Sequence, residues 1–324
     1  MSRPEGGRLV ATLPVNFDRY IDDRIDQGVF AVHRDIFRDE FLFELEMKYI
    51  FESNWVFLCH ASQIAQPHDF YATHIGRQPV LVTRNAAGEI RAFLNTCAHK
   101  GSLVCLEKSG NRKFHTCTYH GWTYDLNQGR CVSLKDHADA AYTPAFEAVS
   151  HDLHAVPCLA EYRGWVFASL NADVMPLEQH LGDARVFIDL LVEQAPDGME
   201  LVRGNASYTF PGNWKLQAEN GVDGYHVHGL HVNFALTTQN RDRIRAGQNQ
   251  IKSMDVSQLG NLDAGFFDFG NGHVVLWGDW PNRGDRRPNF HMYGEWTEKF
   301  GQVYAEWMIG KLRNTLIYPN VFLM

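Results

Sequence analysis

Two short segments, Cys97-Ala-His99 and Cys117-Thr-Tyr-His120, constrain this chain more than any other feature of it. Each puts one thiol beside one imidazole, and seventeen residues separate the two halves. For both pairs to serve one centre, the chain must form two tight loops and bring them side by side. Gly101 and Gly121 closely follow the two pairs, where a tight turn draws on the conformational freedom of glycine. Either half alone is as easily a buried cysteine with an unrelated histidine, and the set of four is also open to a structural zinc. Zinc fingers, however, usually space their ligands as C-x₂₋₄-C and H-x₃₋₅-H. Here each half mixes one Cys with one His, an arrangement that fits a two-iron cluster with two thiolates on one iron and two imidazoles on the other.

A second concentration of chemistry runs from Asn213 to His231, Asn-Trp-Lys-Leu-Gln-Ala-Glu-Asn-Gly-Val-Asp-Gly-Tyr-His-Val-His-Gly-Leu-His. Trp214, Leu216 and Gln217 suit a helix, and nothing from Lys215 to Asn220 stops one. Gly221, Gly224 and Gly229 each weaken it by about 1 kcal/mol against Ala. Asp223 and His226, three apart, share a face on a helix. His226 and His231, five apart, would point roughly 140° away from each other on a regular helix. Two histidines on one ion therefore require the helix to end or distort near Gly229. His228 is expected to face away from His226.

The rest of the composition narrows the classes. A chain of 324 residues is long enough for one large or two ordinary domains. The net charge of −8 argues against nucleic acid and anionic membrane surfaces, which call for a basic face. No run of eighteen apolar residues exists to span a membrane, and Met1–Arg19 lacks a signal-peptide core, so a cytoplasmic protein is expected. Six cysteines are too sparse for a disulfide framework; Cys59, Cys105, Cys131 and Cys158 are read as ordinary buried thiols. His60, His68, His74, His151 and His154 lack ligand spacing. No dinucleotide fingerprint or P-loop is present.

Periodicity predicts an amphipathic helix over Glu40–Phe51 and short strands at Val80–Thr83, Ile90–Leu94, Lys113–Thr116, Trp122–Asp125 and Trp165–Leu170, separated by turn residues. It further predicts a helix over Leu177–Gln194, a strand over Leu201–Phe210, an irregular excursion over 240–262, a strand over Phe266–Trp280, a helix over Glu295–Leu312 and a strand over Leu316–Met324. The strand-like ending leads to the expectation that the sequence is truncated.

Cys97-Ala-His99-Lys100-Gly101 with Cys117-Thr-Tyr-His120-Gly121-Trp122 is similar to the Rieske motif of aromatic-ring-hydroxylating dioxygenases. Asn213-Trp214-Lys215 through Glu219-Asn220, Asp223, Tyr225-His226 and His231 resembles the mononuclear-iron motif of the same family. Glu46 to Glu52, Gly76-Arg77-Gln78-Pro79 and Arg313-Asn314 with Tyr318-Pro319-Asn320 resemble the large subunits acting on benzoate, anthranilate and halobenzoates. Two departures stand out: Lys100 replaces the usual Arg, and Thr118 stands where Pro is common. Neither touches a ligand, but both lie where hydrogen bonding tunes such a centre.

The resemblance implies an α+β fold. An antiparallel β Rieske [2Fe-2S] domain (50–170) is inserted in an α+β catalytic domain (1–49 and 171–324) with a curved antiparallel sheet covered by helices, of helix-grip type. It implies Cys97 and Cys117 on one iron of the cluster, His99 and His120 on the other, and His226 and His231 on a separate mononuclear Fe(II). The third, carboxylate ligand is expected beyond Met324, since none of Asp255, Asp263, Asp268 and Asp279 matches the family position. Asp223 is implied as a hydrogen-bonded bridge from His226 to His120 of a neighbouring subunit, which requires a ring such as a homotrimer, or an α₃β₃ assembly with a small β-subunit. Asn220 and Asn213 border the active site by family position, or serve as buried hydrogen-bonding groups. The implied activity is O₂-dependent cis-dihydroxylation of an aromatic carboxylate, with electrons from NADH arriving through a separate reductase, directly or by way of a ferredoxin. Monooxygenation or demethylation by the same machinery is the near alternative, and a Rieske electron carrier without catalysis the distant one.

Overall fold

The computed structural model describes residues 15–139, 141–195, 197–202, 204, 206–244, 263–279 and 289–324. The chain opens with a hairpin of β1 (Ile21–Arg24) and β2 (Val29–Val32). Helix α1 (Glu40–Glu46) follows, capped by Asp39, whose carboxylate accepts from the backbone N–H groups of Phe41 and Leu42. A π turn over Met47–Phe51 completes the predicted amphipathic element.

The β region comprises β3 (Val56–His60), β4 (Asp69–Ile75), β5 (Gln78–Arg84), β6 (Ile90–Leu94), β7 (Ser109–Asn111), β8 (Phe114–Thr116), β9 (Thr123–Asp125), β10 (Cys131–Ser133), β11 (Cys158–Tyr162) and β12 (Trp165–Ser169). They form three antiparallel sheets, ordered β6-β5-β4-β7, β10-β9-β8 and β11-β12-β3. The last sheet joins two cores. Val56, Leu58, Val166 and Ala168 pack with Val80 and Val82 of β5, whereas Trp55, Trp165 and Phe167 pack against Leu181, Ile188 and Trp296 of the later chain. A bulge at Val166–Phe167 sets Leu58 and Cys59 on the same side, an interruption of the period-two alternation.

Helices α2 (Pro144–Glu147), α3 (Leu177–Leu181), α4 (Val186–Val192), α5 (Trp214–Val222), α6 (Val227–Leu230) and α7 (Val232–Ile244) lead to β13 (Ala264–Gly270) and β14 (His273–Asp279). After α8 (Tyr293–Phe300) and α9 (Gln302–Ala305) come β15 (Lys311–Ile317) and β16 (Val321–Leu323). The four late strands make one antiparallel sheet in sequence order. Helix α5 lies on it: Asn314 donates to the carbonyl of Gly221 at 2.7 Å. The expected class, antiparallel β units with an α+β part built on an antiparallel sheet, is what the chain adopts.

Several predicted elements differ in detail. Leu177–Gln194 is two helices, because Gly182 takes a positive φ of 49° after α3 and a 3₁₀ turn intervenes. Phe266–Trp280 is a hairpin turning at Asn271-Gly272, both at positive φ; Trp280 itself lies outside the described residues. Glu295–Leu312 breaks at Gly301 (φ 88°) and passes into β15 at Lys311. Leu316–Met324 is likewise two strands, with Tyr318-Pro319 in the turn. Leu201–Phe210 is not a strand among its described residues. Val202 and Tyr208 are exposed, and alternation without a neighbouring strand to accept the backbone hydrogen bonds does not make a sheet. Of 240–262, residues 240–244 close α7 and the remainder lies outside the described residues. Cys131 and Cys158 are half-buried where full burial was expected.

Gly221, read from sequence as a weak point of its helix, is where the helix approaches the sheet. A Cβ there would lie 2.2 Å from the ring of Phe322. Gly221→Ala is therefore expected to destabilise the protein by about 1–3 kcal/mol, the usual cost of overpacking. Phe322→Leu in the same chain should recover part of that loss in urea denaturation. Equal stability of Gly221→Ala and the parent chain would refute the close approach.

A buried histidine pair closes the same sheet onto α3. His273 accepts from the Tyr318 backbone N–H at Nδ1 (2.9 Å) and donates from Nε2 to the His180 carbonyl (2.8 Å), which fixes its neutral tautomer. Burial, and then the neighbouring His273, lower the His180 pKa to about 4. Below pH 6.5 the unfolded chain takes up a proton at His180 that the native chain refuses, so stability falls from pH 6.5 down to about 4 and then levels off. The loss is on the order of 3 kcal/mol. Urea midpoints of the parent and of His180→Gln across that window should show a shallower slope in the variant; parallel slopes would exclude His180 as the source.

Candidate metal centres

The two Cys/His loops fold alike. In the first, the Cys97 N–H bonds the Ser102 carbonyl at 2.8 Å and the Gly101 N–H bonds the Cys97 carbonyl at 2.9 Å. In the second, the Cys117 N–H bonds the Trp122 carbonyl at 2.8 Å and the Gly121 N–H bonds the Cys117 carbonyl at 2.9 Å. Gly101 and Gly121 take φ of 72° and 73°, a region that disfavours any side chain. The sequence reading that glycine makes each turn holds at both positions. Each loop sends its Cys inward and its His toward the tip: Cys97 and Cys117 are buried in one cluster with Trp122 and Tyr124. At the tip, His99 Nδ1 and His120 Nδ1 are 3.0 Å apart. That spacing is close to the roughly 3.4 Å separating two nitrogens on a tetrahedral ion with bonds of about 2.1 Å. Partial burial, then the neighbouring His120 and Lys100, lower the His99 pKa and favour the neutral imidazole that binds metal.

Sequence reasoning missed Tyr124. Its hydroxyl lies 3.1 Å from Cys97 Sγ and accepts from the Ala98 N–H at 3.1 Å, which leaves its own proton available to a thiolate at Cys97. Burial first, and the Cys97 contact next, raise its pKa and keep that proton in place. The available signal was the alternation of Trp122 and Tyr124, which places both on one face of a strand.

The second centre is built on a twice-broken helix. Asn213 caps α5 by accepting from the Lys215 N–H at 3.0 Å, and the helix ends at Asp223, whose backbone is extended. The chain restarts at α6, which runs through Gly229 with the Leu230 N–H on the His226 carbonyl at 2.8 Å and the His231 N–H on the Val227 carbonyl at 3.0 Å, so the expected end of the helix falls at His231, two residues past Gly229. The result is convergence: His226 Nε2 and His231 Nε2 are 3.1 Å apart. Two adjacent ligand positions on an open-faced ion with bonds of about 2.1 Å lie at about 3 Å, so the pair fits one metal.

Asp223 and His226 were read as neighbours on one helix face. They do meet, but across the break: Asp223 Oδ2 accepts from His226 Nδ1 at 2.8 Å, while Oδ1 accepts from the Tyr225 N–H at 2.7 Å. The backbone bond and then the imidazole hold the Asp223 pKa below the usual carboxylate range. A carboxylate on Nδ1 fixes the tautomer and leaves Nε2 free to bind metal. Asn220 Nδ2 sits 3.3 Å from His226 Nε2, at the edge of the same site. The His228 side chain and Asp255 lie outside what the structure describes.

Among the described residues no third His, Cys, Asp or Glu joins either histidine pair in single-ion geometry. For the second centre, Asp268 is engaged by the Gly270 N–H at 2.8 Å and Asp279 pairs with Lys311. A cavity of about 740 Å³ opens beside the same sheet, lined by Phe267, Phe269, Val275 and Trp277 among others. It is on the other face, because Gly224 approaches the alternate residues Phe266 and Leu276.

A family profile described as the Rieske [2Fe-2S] domain matches residues 54–156, which contain both Cys/His loops. The chain is 44% identical to the toluate 1,2-dioxygenase subunit alpha of Pseudomonas putida, over 98% of this chain and 70% of that one. It is 44% identical to the 2-halobenzoate 1,2-dioxygenase large subunit of Burkholderia cepacia, over 92% and 63% respectively. It is 43% identical to the anthranilate 1,2-dioxygenase large subunit of Acinetobacter baylyi, over 94% and 65%. A naphthalene 1,2-dioxygenase crystal structure superposes with a TM-score of 0.73 at 27% identity, covering 88% of this chain and 64% of that one. The chain thus spans 63–70% of the length of these three curated relatives. It belongs to the family of Rieske ring-hydroxylating dioxygenase large subunits, and carries that family's [2Fe-2S] domain.

Proposed function

We propose that this chain carries both redox centres of a terminal oxygenase that cis-dihydroxylates an aromatic carboxylate with O₂. The single observation that carries the reading is that two separate histidine pairs converge, His99 with His120 at 3.0 Å and His226 with His231 at 3.1 Å. An electron carrier needs only the first. Cys97, Cys117, His99 and His120 would hold the [2Fe-2S] cluster, and His226 and His231 the mononuclear Fe(II), with a carboxylate from outside the described residues as third ligand. Bound there, the cluster supplies electrons one at a time and the Fe(II) supplies the redox chemistry on O₂.

The protein's own groups have distinct tasks. Asp223 keeps a proton on His226 Nδ1 and aims Nε2 at the metal. Its side chain is 37% exposed, leaving it open to a second donor, for which His120 of a neighbouring copy in a ring is the proposed partner. Tyr124 donates toward Cys97 Sγ, favouring the additional negative charge of the reduced cluster. Asn220 borders the metal position. The substrate class rests on relatives named for toluate, 2-halobenzoate and anthranilate. A separate reductase is the proposed electron source and, in line with six unpaired cysteines, the cytoplasm the proposed compartment.

Low-temperature EPR of the dithionite-reduced, iron-replete protein is the test, with metal analysis alongside. A Rieske-type signal and three irons per chain are expected, the signal disappearing in Cys117→Ala. No Rieske-type signal would sink the proposal, and two irons with no turnover would favour an electron carrier. Product analysis with benzoate, anthranilate and 2-halobenzoates, using a matching reductase, separates dihydroxylation from monooxygenation.

A further inference from the structure

The two imidazoles at the loop tip have unlike surroundings. His120 is covered by Tyr119, whose ring lies 4.0 Å away and is itself 65% exposed. His99 is instead stacked on the buried indole of Trp122, ring centroids 4.8 Å apart and planes 15° from parallel. Trp122 is backed in turn. His151 meets it edge-on at 5.3 Å, Phe146 packs on His151 at 4.2 Å, and Tyr142 stacks on Phe146 at 4.8 Å.

Polar contacts fasten this stack to the β region. The Tyr142 hydroxyl donates to the Lys135 carbonyl at 3.0 Å, His151 Nε2 to the Phe146 carbonyl at 2.9 Å, and the Cys131 N–H to Asp152 at 2.8 Å. Tyr142, Phe146 and His151 therefore serve as a wall that presses the indole onto one imidazole and leaves the other facing outward.

We propose that Trp122 is a positioning residue for His99, and that the aromatic wall behind it sets the reduction potential of the centre by keeping water from that side. This rests on the reading that these four residues hold a two-iron cluster. With two Fe(III), two sulfides, two thiolates and two neutral imidazoles the cluster is electrically neutral. One electron from the reductant converts one Fe(III) to Fe(II) and leaves a net charge of −1, with no bond made or broken. A dry apolar wall disfavours the charged state, so the wall lowers the potential and its removal raises it.

The experiment is a potentiometric titration with dithionite and mediators, followed by visible absorption and EPR, on the holoprotein and on Trp122→Leu, Trp122→Phe and Phe146→Ala. Trp122→Leu should shift the one-electron equilibrium toward the reduced form by about tenfold, or about 59 mV. Trp122→Phe and Phe146→Ala should shift it in the same direction by less, and the EPR g-anisotropy should change with loss of the stacked ring. Trp122→Leu with full iron and sulfide content and an unchanged potential would overturn the proposal. If that variant fails to hold the cluster, unchanged potentials in both Trp122→Phe and Phe146→Ala overturn it equally. A parent protein with no Rieske signal would instead overturn the underlying reading, so the two failures are distinguishable.

Discussion

Asp223→Ala is expected to lower oxygenation turnover about 100-fold, the upper end for removing the partner of a metal-binding histidine. The expectation comes from a single hydrogen bond: His226 Nδ1 donates to Asp223 Oδ2 at 2.8 Å, across a helix break that gives the imidazole no other such support on that side. Without the carboxylate the ring can rotate and take the other tautomer, and the proposed bridge from a neighbouring histidine is lost. The two-iron centre is built on other loops, so its iron content and Rieske-type EPR signal should persist in the variant. Asp223→Asn separates orientation from charge, because its amide oxygen can still accept from Nδ1 while carrying no charge. Single-turnover oxidation of the pre-reduced cluster, with substrate bound, reads the effect directly. A rate within threefold of the parent for Asp223→Ala would remove Asp223 from the electron path.

The second large effect is on stability. Lys215→Met is expected to cost about 3–5 kcal/mol, because it strands a buried carboxylate. Glu46, in α1, is only 6% exposed; its Oε1 accepts from Lys215 Nζ at 2.5 Å and its Oε2 from Trp214 Nε1 at 2.8 Å. Both donors sit in the first turn of α5, so this carboxylate fastens the early helix to the one leading to Asp223 and His226. Replacing both partners, as Glu46→Gln with Lys215→Met, should recover much of the loss, since the double change leaves no unpaired charge. Chemical denaturation of Lys215→Met, Glu46→Gln and the double variant checks this; a Lys215→Met protein within 1 kcal/mol of the parent would show that the pair contributes little.

Neither of these contacts could be read from the sequence in the same way. Asp223 and His226 are three residues apart, so local geometry alone keeps them in reach, although they meet across the end of α5 and not along one helix face. Glu46 and Lys215 are 169 residues apart, and nothing local links an acid in one amphipathic helix with a lysine in another. The same distinction runs through the strands. Ile90–Leu94 was legible to the residue because a short apolar run is bounded by turn residues. Leu201–Phe210 alternates and forms no strand, because pairing is a property of what lies alongside.

The proposed metal sites were legible in the sequence itself: two Cys/His loops with glycine at the turns, and two histidines at a spacing that forbids a regular helix. Those are short-range constraints, set by ligand type and by the few backbone conformations that present them. The tertiary fold decided what surrounds the ligands. It brought Tyr124 to the sulfur of Cys97, put Trp122 behind His99 and left His120 outward, and packed Gly221 against Phe322. Such contacts depend on the packing of side chains distant in sequence, whose mutual fit no local pattern encodes.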